Sequence, residues 1–209
     1  MIGFYDYTVI LTYMSVASAL IGMMFAAKGR VDLAIICLMF SGLCDGFDGK
    51  VARCKKNRTD HQKMFGLQID SLCDVISFGV FPVVICHFLG MRGNVNDVIK
   101  VAYVLAAVIR LAYYNVMEEE AIRTTEHSRD YFQGLPVTSI SIILPVLYVI
   151  NHMVMGKESF GNGYSAVMFI ITVLFILDIK IKKPSVKLVA GSLVITLFLV
   201  GYIVYHYIL

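Results

Sequence analysis

The chain has 209 residues, of which 58% are hydrophobic and only 16% charged, with a net charge of +3 and a mean hydropathy of +0.76. A soluble domain carries about a quarter charged residues, so this composition excludes an ordinary soluble fold, and nothing in it points to a nucleic-acid partner. The five cysteines, Cys37, Cys44, Cys54, Cys73 and Cys86, are odd in number, never spaced C-x-x-C and lie mostly in apolar runs, which excludes a disulfide framework and a zinc site.

Seven apolar segments follow one another. The first is Tyr7–Ala27, uncharged throughout and without the basic leader or small-residue cleavage site of a signal peptide. The second runs from Val31 to Ala52, with an uncharged core of only Leu33–Cys44, and the third from near Gly66 to near Met91. The fourth covers Asp97–Met117 and contains Arg110. The fifth lies within Tyr131–Gly156, the sixth within Ser159–Leu177, and the seventh is Leu188–Leu209. A membrane span needs about 20 mostly apolar residues, and every connection is short. The expectation is an all-α, polytopic transmembrane bundle forming one domain over residues 1–209. Pro82 and Gly79 mark a kink in the third segment.

Basic residues set the orientation. With the N-terminus in the cytoplasm, the inside loops 53–65, 118–134 and 178–187 carry eleven lysines and arginines, against five outside. This predicts an integral protein of the cell membrane with the basic 53–65 loop in the cytoplasm.

Charged groups near a helix centre cost about 2.5–3.5 kcal/mol each on insertion scales, and the second and third segments accept that cost repeatedly. The second ends Cys44-Asp45-Gly46-Phe47-Asp48-Gly49-Lys50-Val51-Ala52-Arg53, and the third begins Gly66-Leu67-Gln68-Ile69-Asp70-Ser71-Leu72-Cys73-Asp74. Asp45 and Asp48 are spaced i, i+3 and Asp70 and Asp74 i, i+4, so each pair shares a helix face. A short connection makes the two helices antiparallel neighbours, and the four carboxylates converge at the membrane–cytoplasm boundary. A single acid at a helix end is commonly a solvated cap; four around an Asp-Gly step are not explained that way. Such a cluster needs a cation, and all-oxygen donors suit Mg²⁺ or Mn²⁺, metals that also bind phosphates. Gly46 and Gly49 are costly inside a helix and allow a ligand close to the backbone. Arg53 is placed to pair with phosphate oxygens.

These positions resemble the signature of the CDP-alcohol phosphatidyltransferase family, D-x-x-D-G-x-x-A-R, a spacer, then G-x-x-x-D-x-x-x-D, here Asp45, Asp48, Gly49, Ala52, Arg53, Gly66, Asp70 and Asp74. The spacer Cys54–Phe65 is longer than is usual in the family. Three further stretches, Asp70–Val80, Arg110–Asn115 and Phe132–Pro136, resemble the serine-using branch of the family. Tyr113 stands where that branch has an arginine, and Ser15 where the family tends to have asparagine.

The resemblance implies transfer of a phosphatidyl group from CDP-diacylglycerol to an alcohol, L-serine by the branch, with release of CMP. It implies Asp45, Asp48, Asp70 and Asp74 as holders of divalent metal, two ions in all, and Asp74 also as the general base. Asp45, Gly46, Asp48, Gly49, Ala52, Arg53, Gly66 and Asp70 would bind CDP-diacylglycerol. Arg110, Asn115, Gln133, Gly134, Pro136 and Ser77 are the candidates for the acceptor pocket. Family members resemble homodimers. Arg110 lies roughly 10 Å inside its helix at 1.5 Å per residue, and a substrate anion, phosphate or serine carboxylate, is its expected partner. Two rival readings stand beside this one. The first is the same chemistry with glycerol-3-phosphate, inositol phosphate or a second lipid as acceptor. The second is a divalent-cation transporter, against which stands the clustering of the acids at one helix end, whereas transport sites lie near the membrane midplane.

Overall fold

The computed structural model describes residues 9–54, 59–124, 131–155, 161–178 and 180–182, together with Gly201 and Tyr205; side chains of 49–54, 60, 121–124, 131–133, 154–155 and 180–182 fall outside that description. Its elements are α1 (Ile10–Ala27), α2 (Val31–Cys54), α3 (Asp60–Asp74), a π-helical segment (Val75–Val80), α4 (Phe81–Phe88), α5 (Asn94–Thr124), strand β1 (Tyr131–Gln133), a 3₁₀ turn (Val137–Ser139), α6 (Ile140–Met155), α7 (Gly161–Ile176) and strand β2 (Lys180–Lys182). Because α3, the π segment and α4 run on without a break, the described residues form six helical rods, as the all-α expectation requires. The single addition is a short antiparallel ribbon in which β1 pairs with β2, Phe132 opposite Ile181. The expected seventh span, 188–209, lies outside the described residues apart from Gly201 and Tyr205.

α1 and the rod from His61 to Phe88 are long and apolar enough to cross a membrane, and the helices over Val137–Met153 and Gly161–Ile176 are apolar but shorter. In lipid the hydrophobic effect does not drive helices together, so close van der Waals packing and interhelical hydrogen bonds must. α1 meets both demands. Its buried face consists of Thr12, Ser15, Ser18, Ala19, Gly22 and Ala26, all small, and it lies along α2. At Gly22 a β-carbon would collide with the Phe81 ring and with Cys37, so only glycine permits this approach of α1, α2 and α4. Ser41 Oγ donates to the Ser15 carbonyl at 2.6 Å and Ser18 Oγ to the Cys37 carbonyl at 2.9 Å, which fixes the register of the pair. Each such bond contributes about 0.6 kcal/mol.

The expected kink is a widened helix. The Phe81 N–H donates to the Ile76 carbonyl, five residues back, and Pro82 stands in the first turn of α4. Proline has no N–H to offer the carbonyl four residues earlier, that of Phe78. Tyr103 Oη of α5 donates to that carbonyl at 2.8 Å, within the core. A tyrosine on one rod thus completes the backbone of another.

Contacts sort the element ends into two groups. Thr12 reaches Asp48, which sets the start of α1 beside the C-terminal part of α2, Asn115 reaches Ser71, which sets α5 beside the last turn of α3, and β1 pairs with β2, which joins the connections before α6 and after α7. In the second group Gly161 abuts the Gly90 carbonyl and Ser165 bonds Asn96.

The third segment starts earlier than expected. Thr59 caps α3, accepting from the Gln62 N–H at 3.3 Å, while Gln62 accepts from the Thr59 N–H at 3.1 Å. This reciprocal capping box moves the helix start from Gly66 to Asp60. Together with the run of α2 to Cys54, it converts most of the expected 53–65 loop into helix.

Replacing Tyr103 with Phe is expected to take this hydrogen bond from the Phe78 carbonyl, at a cost of about 0.5–1.5 kcal/mol, read as a fall in Tm of the detergent-purified chain.

Candidate metal and phosphate site

The aspartates are brought together from two helices that do not pack along each other here. Among the described residues, α2 lies against α1, the π segment and α4, whereas α3 lies against α1 and α5. The carboxylates reach across the space between them. Carboxylate oxygens of Asp45, Asp70 and Asp74 all lie within 4.8 Å of one another. The Asp45 and Asp74 carboxyls are within hydrogen-bond reach of each other, and so are those of Asp48 and Asp70. Asp48 and Asp74 are buried, while Asp45 and Asp70 are partly exposed. The convergence expected from the i, i+3 and i, i+4 spacing is therefore present, with Asp48 beside the triad rather than within it.

The depth differs from expectation. The acids were placed at the helix ends, but α2 runs six residues past Asp48 to Cys54, about 9 Å at 1.5 Å per residue. α3 begins ten residues before Asp70, about 15 Å. The site lies inside the two helices, level with the start of α1, and the helix ends project beyond it.

The residues fit a hard divalent cation. The donors are all carboxylate oxygens, and at about 2.1 Å per bond two oxygens on opposite sides of a six-coordinate magnesium stand about 4.2 Å apart, inside the 4.8 Å that bounds the three donors. Asp70 Oδ1 is buried without any hydrogen-bond partner, an arrangement that costs free energy unless a cation or a donor satisfies its lone pairs. The backbone beside the cluster is open as well. A β-carbon on Gly46 would meet no atom within 4 Å, in contrast to Gly22, so protein packing does not account for that glycine. Gly49, Ala52 and Arg53 continue the same helix, with backbone alone described, and Gly66 lies one turn before Asp70 on α3.

The candidate acceptor residues separate into distinct settings. Ser77, fully buried, accepts from Ser15 Oγ at 3.3 Å, so Ser15 supplies a hydroxyl where the resemblance leads one to expect asparagine. Asn115 Oδ1 accepts from Ser71 Oγ at 2.6 Å, and its Nδ2 stands 3.5 Å from Gln68 Oε1. It ties α5 to the stretch of α3 between Asp70 and Asp74. Arg110 donates to the Gly134 carbonyl at 3.1 Å and approaches the Phe175 carbonyl at 3.5 Å, in the last turn of α7. Gly134 has φ +73°, a left-handed conformation natural to glycine, and a β-carbon there would meet the Arg110 guanidinium. Backbone carbonyls thus occupy donors of Arg110 for which a substrate anion was the expected partner. Gln133 is in β1, and Pro136 precedes the 3₁₀ turn.

Sequence reasoning missed Thr12, whose Oγ1 donates to Asp48 Oδ2 at 3.1 Å. The signal was available, since Thr12, Ser15 and Ser18 put hydroxyls at three-residue spacing on an otherwise apolar helix.

Comparison with known proteins agrees with this geometry. The sequence profile of CDP-alcohol phosphatidyltransferases matches residues 7–178. The chain is 26% identical to a CDP-diacylglycerol–serine O-phosphatidyltransferase of Mycobacterium bovis, over 87% of this chain and 58% of that protein. It is 29% identical to the protein of the same name from Helicobacter pylori, over 85% and 72%. It is 27% identical to an archaetidylserine synthase of Methanothermobacter thermautotrophicus, over 88% and 71%. The chain thus spans little more than half the length of the mycobacterial relative. The profile covers every described helix from α1 to α7 and both aspartate pairs, so the chain belongs to the CDP-alcohol phosphatidyltransferase family and, with its apolar helices, is an integral membrane protein.

Proposed function

We propose that this single membrane domain transfers the phosphatidyl group of CDP-diacylglycerol to L-serine, forming phosphatidylserine and releasing CMP. The observation that carries the reading is the carboxylate cluster of Asp45, Asp70 and Asp74 with its buried, unpartnered Asp70 oxygen, set in a chain of this family and similar to serine-transferring relatives.

Asp45, Asp48, Asp70 and Asp74 hold divalent metal, Mg²⁺ or Mn²⁺ and two ions by the family resemblance. When bound, the metal neutralises the pyrophosphate and stabilises charge on the departing CMP. Asp74 takes the proton of the serine hydroxyl, which is a poor nucleophile until a base removes it. The hydroxyl oxygen then bonds to the phosphorus that carries diacylglycerol. The P–O bond to CMP breaks, and its electron pair leaves with CMP. Gly46, Gly49, Ala52, Arg53 and Gly66 line the nucleotide side. Open space at Gly46 supports close approach there. Ser77, Asn115, Gln133, Gly134 and Pro136 are the acceptor-side candidates, and Arg110 holds Gly134 in place through its bond to that carbonyl. The active site faces the cytoplasm of the cell membrane, as the basic connections favour, and the chain works as a homodimer.

Purified protein given CDP-diacylglycerol and Mn²⁺ or Mg²⁺ is expected to release CMP on addition of L-serine, and chelation is expected to stop that release until metal is restored. Release with glycerol-3-phosphate or inositol phosphate but not serine would reassign the acceptor, and no release with any alcohol would overturn the enzymatic reading.

Asp74→Asn is expected to lower turnover by about 10²–10⁴, the usual contribution of general base catalysis, while CDP-diacylglycerol binding is largely retained. Unchanged turnover would remove Asp74 from the role of base.

Arg110→Ala is expected to raise the KM for serine and leave that for CDP-diacylglycerol unchanged. An effect confined to the lipid substrate would move Arg110 to the phosphate side.

A further inference from the structure

α1 is an apolar helix with three hydroxyls on one face, Thr12, Ser15 and Ser18, each of them buried. Ser18 and Ser15 are used between helices: Ser18 Oγ donates to the Cys37 carbonyl, and Ser15 donates to Ser77 Oγ while its carbonyl accepts from Ser41. Thr12, nearest the site, is different, because its Oγ1 meets a carboxylate, Asp48 Oδ2, at 3.1 Å. Both partners are buried, with 4% and 8% of their surface exposed, so water does not substitute freely for either.

The register of this contact is fixed elsewhere. Ser41 lies seven residues before Asp48, on the same face of α2 two turns away, and its bond to the Ser15 carbonyl holds α2 against α1. Thr12 therefore meets Asp48 in a set relation. Tying one carboxylate oxygen fixes rotation about the Cβ–Cγ bond and gives the other oxygen a definite direction. That matters for Asp48 more than for the others, because it stands beside the Asp45–Asp70–Asp74 triad and within hydrogen-bond reach of Asp70.

We propose that Thr12 is a positioning residue whose hydroxyl orients Asp48 so that this carboxylate completes the metal-holding set. Thr12 acts through Asp48 and touches neither substrate nor metal. The inference rests on the reading of the four aspartates as the metal site, and it assigns to α1, which bears no charge, a direct part in that site.

The test is Mn²⁺ binding to the purified full-length chain without lipid substrate, followed by electron paramagnetic resonance of free Mn²⁺, together with the Mn²⁺ dependence of CMP release. Thr12→Val keeps the size and removes the hydroxyl, and Thr12→Ser keeps the hydroxyl. Thr12→Val is expected to raise the Kd for Mn²⁺ by roughly tenfold to a hundredfold, the usual effect of losing a partner that orients a metal ligand. Thr12→Ser is expected to remain near wild type. If Thr12→Val does not yield folded protein, Thr12→Cys, a weak donor of similar size, replaces it, with the same expectation. Wild-type affinity in Thr12→Val, or equal loss in Thr12→Ser, would overturn the proposal, the second outcome pointing to packing alone. A wild-type chain that binds no Mn²⁺ would overturn the metal reading itself, and with it this inference.

Discussion

Like charges brought together in a membrane protein are the constraint on which the rest of the structure depends. Two ionised carboxylates with oxygens within 4.8 Å of each other repel by about 3.5 kcal/mol or more at an effective dielectric constant of 20. The three pairs within the triad come to about 10 kcal/mol, as large as the whole stability of a typical domain. No fold of this size tolerates that uncompensated. The cluster must be neutralised, and the unpartnered buried oxygen of Asp70 locates where compensation is needed. The open backbone at Gly46 and the gap between α2 and α3 follow from the same demand, because a cation and a phosphate both need room.

The scaffold that holds these charges is built from small residues and hydroxyls rather than from bulk. Gly22 lets Phe81 close against α1, and Ser18 and Ser41 lock α1 to α2. On the other side of the site, Asn115 pins α3 from α5. The π segment begins directly after Asp74. Widened turns of this kind often accompany functional sites. Here it lets Ser77, Phe78 and Gly79 all be buried in succession, at a junction stabilised by Tyr103. Asp74 is thus the last residue of a regular helix whose continuation is held by a different set of contacts.

The sequence carried the cluster more clearly than it carried the boundaries around it. Aspartates at i, i+3 and i, i+4 are an arithmetic fact about helix faces, and apolar runs survive any detail of packing. The start of α3 was equally legible, because Thr59-Asp60-His61-Gln62 is a capping-box pattern, but the charges around it read as a loop. The π segment was not legible: in lipid both faces of a helix are apolar, so periodicity carries little information, and only Pro82 marked the irregularity. Arg110 shows a further limit. Its depth in the helix correctly announced that it needs partners, but the carbonyls of Gly134 and Phe175 come from residues 24 and 65 positions away, and no local pattern names them.

The depth of the site bears on the proposed reaction. Asp48 is level with the first turn of α1 through Thr12, while α2 and α3 extend well past that level. α2 carries Arg53 in its last turn and α3 carries Lys63 in its first. A substrate with two apolar tails and an anionic nucleotide head meets both halves of this arrangement at once. In the proposed reaction the tails would stay alongside the apolar faces of the rods, the pyrophosphate would reach the aspartates, and the nucleotide would lie toward the projecting helix ends. A small polar acceptor needs no lipid-facing entrance and can approach from water. In the proposed reaction, the placement of the carboxylates one and a half to almost four turns inside the helices, rather than at their tips, would let one site meet a lipid and a water-soluble alcohol together.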